Sequence, residues 1–164
     1  MNELQKIFNN TPVESYKEKI NVVVEYLTSI VDGENIVGDG KSVVYPDFWE
    51  YKHTFAEKMY IREMRMKKGQ LGVSVIQKYS YLTGSLAVTT ETGIEEFIGP
   101  VYFTSPPGGA QRIVYAVEDC VIVTVHQNPT NTEDLAELEK YLYCFSWEEY
   151  NDFVNNNNKN EKNK

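Results

Sequence analysis

The sequence predicts a mainly β protein, a small antiparallel barrel or sandwich with helices at its ends, and three observations carry that expectation. The stretch from Gly84 to His126 divides into short runs rich in β-branched and aromatic residues: SLAVTTE, IEEFI, VYFTS, QRIVYAV and CVIVTVH. Turn residues separate them at Thr92-Gly93, Gly99-Pro100, Pro106-Pro107-Gly108-Gly109 and Glu118-Asp119. Short strands punctuated in this way favour an all-β architecture over one with crossover helices. Helical periodicity is confined to the segments before and after the strands.

In chain order, residues 1–12 read as a lead-in. From Val13 to Val31, apolar residues at Tyr16, Ile20, Val23, Val24, Leu27 and Ile30 recur at spacings of three and four. That spacing lines one face of a helix, and Asp32-Gly33 ends it. Gly33 to Tyr45 is glycine-rich and short of apolar residues, so it reads as a surface connection. The aromatic cluster Pro46-Asp47-Phe48-Trp49-Glu50-Tyr51 is expected to plug one end of a barrel running from about Tyr45 to His126.

Met59 to Met66 is a strand with Tyr60, Arg62, Met64 and Met66 on one side and Ile61, Glu63 and Arg65 on the other. Arg62 thus shares the apolar side. A guanidinium there needs a carboxylate, such as Glu91 or Glu63, or a ligand anion. Lys67-Lys68-Gly69-Gln70 is a turn, and Val73 to Tyr81 alternates with Val73, Val75, Gln77, Tyr79 and Tyr81 as its inward set. After the turn-rich Gln127–Asn131, Thr132 is expected to cap a helix with the stripe Leu135, Leu138, Tyr141 and Leu142. Ser146 and Glu149 match a capping box for a last helix ending near residue 154. Asn155 to Lys164, NNNNKNEKNK, is too polar to offset the entropy of ordering and reads as a disordered tail.

A net charge of −8 argues against nucleic acid, whose phosphates are bound chiefly by Lys and Arg. No apolar run approaches the roughly 20 residues that cross a bilayer, and MNELQKIF lacks a signal-peptide pattern. The expectation is a soluble, cytoplasmic protein with no membrane partner. Cys120 and Cys144 have no metal-ligand spacing and read as reduced thiols. No phosphate loop, nucleophile elbow, paired-cysteine zinc motif or calcium loop occurs. The two histidines, His53 and His126, are few for a barrel metal site, which ordinarily takes two or three. A carboxylate such as Glu63 or Asp119 would have to join them. Otherwise His126, closing a strand of Val and Ile, has a structural role.

The succession Gly99-Pro100, VYFTSPPG, Arg112, Glu118-Asp119 and Thr124-Val125-His126 resembles the cupin superfamily. With His53-Thr54-Phe55-Ala56 and Tyr60-Ile61-Arg62-Glu63, it resembles more narrowly the small cupin-like proteins of tailed bacteriophages and prophages. The likeness covers roughly His53 to Leu142. It implies a cupin-type double-stranded β-helix, an antiparallel jelly-roll barrel with an N-terminal helix and two C-terminal helices, forming a single domain over residues 13–154. It also implies a homodimer. Cupins hold their metal through a glycine followed by His-x-His and a further downstream ligand. This chain has Gly72-Val73-Ser74-Val75-Ile76-Gln77-Lys78-Tyr79 at the first place and Arg112 near the second. Val, Gln and Arg do not assemble a transition-metal site, so neither a metal nor another cofactor is expected.

The resulting expectation is a non-enzymatic cupin-like phage protein. It binds a small, anionic or nucleotide-like ligand at the barrel mouth, or acts in the virion or on the host. The expected ligand-binding residues are His53, Tyr60, Arg62, Gln77, Tyr79, Tyr81, Arg112 and His126, with none catalytic. The alternative to a ligand is that Arg62 pairs with Glu91 or Glu63 and Arg112 with Asp119. The alternative function is an atypical cupin enzyme, an isomerase or hydrolase using His53 or His126 as base, with or without a metal.

Overall fold

Two antiparallel sheets laid face to face form the body of the computed structural model, which describes residues 6, 8–10, 15–30, 36–37, 42–45, 49–73, 79–83, 85–90, 93–104, 111–144, 148–153 and 155. The strands are β1 (Ile36–Val37), β2 (Ser42–Tyr45), β3 (Glu50–Ala56), β4 (Met59–Met66), β5 (Leu71–Val73), β6 (Tyr79–Thr83), β7 (Ser85–Thr90), β8 (Gly93–Ile98), β9 (Val101–Thr104), β10 (Ile113–Ala116) and β11 (Cys120–Gln127). Helix α1 (Tyr16–Ile30) precedes them and α2 (Leu135–Leu142) follows. Residues 148–153 are also helical.

One sheet has the order β1-β2-β5-β10-β7-β8 and the other β3-β4-β11-β6-β9. The pairs β7–β8, β6–β9, β5–β10 and β4–β11 are nested one inside the next. A long hairpin folded over itself, with successive pairs shared alternately between two sheets, is the jelly-roll or double-stranded β-helix arrangement. The strand runs expected between Gly84 and His126 are all present, as is the strand from Met59 to Met66. Their patterns are local and dense in β-branched residues, so tertiary context had little to override.

Between the sheets, Met64, Met66, Cys120 and Ile122 meet Leu86, Val88, Val114 and Ala116, with Trp49 buried beside them. On the outer face of the first sheet, α1 buries Ile20, Val23 and Leu27 against Leu71, Val73, Ala87 and Ile113. The start of α1 is tied down by Tyr16, whose hydroxyl donates to the Gln111 carbonyl at 2.8 Å and meets Thr89 Oγ1 at 3.0 Å. Thr89 Oγ1 also accepts the Ile113 N–H at 2.9 Å. A buried threonine thereby satisfies polar groups on two elements at once.

Several sequence expectations are corrected. Phe8, assigned to the lead-in, is buried with the α1 core. The segment read as a surface connection holds β1 and β2, strands of two and four residues that become visible only through pairing, β2 lying on β5. The segment Val73 to Tyr81 is divided between two sheets, β5 lying in one and β6 in the other, with residues 74–78 outside the described residues. A single parity therefore does not span it, and Val73 packs under α1 instead of facing the interior. Trp49 lies in the main core and Tyr51 on β3, whereas Pro46, Asp47 and Phe48 lie outside the described residues. Asp134, not Thr132, caps α2, accepting the N–H groups of Ala136 and Glu137 at 2.9 and 3.3 Å. Of the expected stripe, Leu138 and Leu142 are buried while Leu135 and Tyr141 are exposed. Asp119 accepts from Lys67 Nζ and the Lys68 N–H, so it serves the 67–70 turn, where Gly69 takes a φ of +89°, and not Arg112. Ser146 and the tail beyond residue 155 lie outside the described residues.

Candidate functional site

The site forms where the inward faces of β3, β4 and β11 run out from the apolar core toward one end of the barrel. Register places Tyr51 opposite Met64, His53 opposite Arg62 and Phe55 opposite Tyr60, while Thr124 and His126 lie opposite Arg62 and Tyr60 from β11. Residues facing each other across adjacent strands share one side of the sheet, so these side chains gather on the interior side. Helix α2 closes that end: Leu138, Leu142 and Tyr143 pack on Tyr60, with Phe55 alongside.

The loop before α2 is held by side-chain hydrogen bonds. Asn128, buried, donates through Nδ2 to the Thr132 carbonyl at 2.8 Å and accepts the Thr132 N–H at 3.1 Å. Asn131 Oδ1 accepts the N–H of Lys58 at the tip of the β3–β4 hairpin at 2.6 Å. Lys58 Nζ donates to the Pro129 carbonyl at 2.8 Å. The hairpin that carries His53 and Arg62 and the loop that delivers Tyr143 are thus tied together.

Within the site, His53 Nδ1 and the Tyr60 hydroxyl share a hydrogen bond of 2.7 Å. The Tyr60 ring lies between the two imidazoles, with centroids 5.9 Å from His53 and 5.8 Å from His126. His126 meets the edge of Tyr143 at 6.1 Å. Arg62 is 8% exposed, and its guanidinium carbon stands 5.2 Å from the ring centroids of both Tyr51 and Tyr143. Two rings over one guanidinium supply cation–π attraction in place of a counter-ion. Among the described residues no carboxylate pairs with it. Glu63 is engaged with Arg65 on the other side of β4, and Glu91 lies outside the described residues.

Burial, reinforced by the Arg62 charge, holds the His53 imidazole below its ordinary pKa, with Glu139 of α2 pulling weakly the other way. Burial raises the phenols of Tyr51, Tyr60 and Tyr143, while Arg62 opposes the rise in each. Near neutral pH His53 is therefore a neutral imidazole, and the three phenols keep their protons beside the buried Arg62 cation.

Four expected site residues, His53, Tyr60, Arg62 and His126, come together. Arg112 is half-buried just before β10. Tyr81 is paired in register with Val123, one step out of phase with Thr124, and Tyr79 with Thr104 of β9. Gln77 lies outside the described residues. Tyr51, Phe55, Glu139 and Tyr143 were not anticipated. The first two share the parity of His53, a signal present in EYKHTFA, whereas nothing local to Glu139 or Tyr143 marks them.

The cluster does not fit a divalent metal. His53 and His126 are kept apart by the Tyr60 ring, the Arg62 guanidinium is buried beside them against Tyr51 and Tyr143, and no group of three His, Cys, Asp or Glu side chains converges among the described residues. A cation at the heart of a site repels another.

Nested strand pairs around an aromatic-lined end define an antiparallel jelly-roll barrel of the double-stranded β-helix class, flanked by helices. Solved structures similar to this chain include a cupin-2 domain containing protein from Shewanella frigidimarina, at 11% identity over 51% of this chain and 85% of that one, with a TM-score of 0.39. The ectoine synthase from P. lautus is similar at 15% identity over 70% of this chain and 82% of that one, TM-score 0.43. The EutQ protein of Clostridium difficile is similar at 15% identity over 61% and 81%, TM-score 0.39. No protein-family model matches the sequence, and no curated protein does. No helix among the described residues is long and apolar enough to cross a membrane.

Proposed function

We propose that this chain is a non-enzymatic, metal-independent cupin-like binding protein whose barrel end takes a small organic anion at Arg62. One observation carries the reading: a guanidinium 8% exposed, with no carboxylate partner among the described residues and its Nε lacking a hydrogen bond. A buried cation left in that state is expensive unless an anion completes it. The test is a thermal-shift screen of organic anions on the wild-type chain and on Arg62→Met. The anion that raises the wild-type melting temperature should have no effect on the variant, whose own melting temperature is unchanged or higher. A large loss of stability in Arg62→Met with no anion bound by the wild type would overturn the reading.

Two further elements belong to this proposal. The likeness to phage and prophage proteins suggests the host-cell cytoplasm or the virion as its setting, with capture of a host signal molecule or attachment to the particle as its role. A homodimer is supported by β8, the terminal strand of its sheet among the described residues, where Ile98 is 75% exposed. A monomer in native mass spectrometry at micromolar concentrations would contradict the dimer.

One observation favours a second reading. The neutral His53 imidazole, bonded to Tyr60 and exposed at the mouth, has the protonation state of a general base. An isomerase or hydrolase activity abolished by His53→Ala with anion affinity intact would place the protein among enzymes.

A further inference from the structure

The buried polar atoms of the cluster without a hydrogen bond include the Nε of Arg62 and the hydroxyl of Tyr143. They belong to side chains in contact, the guanidinium carbon being 5.2 Å from the Tyr143 ring centroid, and the two residues are 8% and 7% exposed. Folded proteins leave few such atoms unsatisfied. Two on touching side chains point to one absent acceptor.

Shape and charge limit what that acceptor is. The rings of Tyr51 and Tyr143 each stand 5.2 Å from the guanidinium carbon and offer it no hydrogen-bond acceptor through their π-faces, so the unsatisfied Nε is where a new bond forms. The edge that includes Nε is a planar fork, and a carboxylate presents two oxygens in a matching plane. Arg62 is the cation felt by His53, Tyr51, Tyr60 and Tyr143, and the other charge felt by all four is the carboxylate of Glu139. Glu139 lies about 80° round α2 from the centre of its buried stripe, on the side of Tyr143, and its carbonyl accepts the Tyr143 N–H. His53 is neutral and adds no positive charge. The Arg62 guanidinium balances one negative charge. A phosphate dianion would leave a second charge uncompensated among aromatic rings, with Glu139 near.

We infer that the cup selects monocarboxylates over phosphates, gripping the carboxylate with the Nε edge of Arg62 and the hydroxyl of Tyr143. This rests on the anion-binding reading above and narrows its ligand class. Both donor atoms are sealed from solvent, so entry requires the Tyr143 ring to give way. Tyr143 is placed for that: it is the extended C-cap residue of α2, with φ −124° and ψ 150°, and its side chain can swing without unwinding the helix.

The test is calorimetric titration of the full-length chain with acetate, benzoate, phenyl phosphate and the neutral isostere benzamide at pH 7.5. At least one carboxylate should bind, with phenyl phosphate at least roughly tenfold weaker and benzamide not binding, as expected when a charge-assisted bond decides affinity. Tyr143→Phe keeps the ring and removes one donor, so it should weaken the carboxylate roughly tenfold while the free protein melts no lower than wild type. Glu139→Gln should narrow the gap between carboxylate and phosphate. Phenyl phosphate binding as tightly as the carboxylates, or Tyr143→Phe binding them undiminished, would overturn this inference and leave anion binding at Arg62 standing. Binding of none of the anions, or of benzamide equally well, would overturn both.

Discussion

At the scale of single residues, Arg62 does the most unusual thing in the molecule. It is buried on a strand face whose other members are Tyr60, Met64 and Met66. Cation–π contacts of this kind contribute roughly 0.5–2 kcal/mol each, which offsets only part of the cost of desolvating a guanidinium. Arg62→Met should therefore leave stability within about 1 kcal/mol of wild type or raise it, because among the described residues no carboxylate pairs with Arg62 to be stranded by the change. Urea denaturation measures this, and a loss of about 3–5 kcal/mol would mean that Arg62 has a buried ionic partner. His53 sets a pH dependence. Its pKa is lower folded than unfolded, so the unfolded chain binds more protons as the pH falls. The contribution is complete above the unfolded value of about 6.5 and is lost as the pH drops through that value toward the folded one. Thermal melts from pH 7.5 to 5 should show stability declining, and His53→Gln should flatten the slope in that window.

At the scale of elements, α2 and the chain before α1 are where local signals and packing divide the work. Thr132 is a good capping residue by type, yet Asp134 holds the cap, and Thr132 Oγ1 instead accepts the Asp134 N–H at 3.1 Å. Asp134→Ala should cost about 1 kcal/mol, the usual worth of an N-cap. Because α2 delivers Tyr143, it should also weaken anion binding. Phe8 belongs to the core under α1 despite its polar surroundings in sequence. Phe8→Ala should cost about 3–5 kcal/mol by equilibrium unfolding, as a buried aromatic does, whereas a lead-in residue would cost nothing measurable. The turn Lys67–Gln70 was legible from Gly69. Asp119 as its partner was not, because that contact joins turns far apart in the chain.

At the scale of the whole molecule, the nested hairpin puts β11 between β4 and β6, and β10 between β5 and β7, while β8 closes the row. Interior strands open only with global unfolding, whereas edges open locally. Amide exchange should be slowest at Ile122 and Val123 and faster on β8 by at least about a hundredfold. Equal protection along β8 and β11 would mean that another chain covers the edge, as a dimer through β8 requires.

The sequence alone determined what short-range chemistry dictates. Alternation in MYIREMRM set which side of β4 is buried and put Arg62 there, and β-branched runs with Gly and Pro turns marked β7 to β11. Spacings of three and four marked α1. The split between β5 and β6 escaped because the alternation from Val73 to Tyr81 carries no sign that the chain changes sheets. Strands β1 and β2 escaped because two or four residues carry too little pattern without a partner. The site divides along the same line. Tyr60, Arg62, His53 and His126 were found through strand parity and residue type. Tyr143 reaches Arg62, and Glu139 comes near the cluster, only because the loop at Asn128 is tied to Lys58 and turns α2 across the barrel end. That approach depends on tertiary hydrogen bonds and burial between distant segments, and no local propensity encodes it.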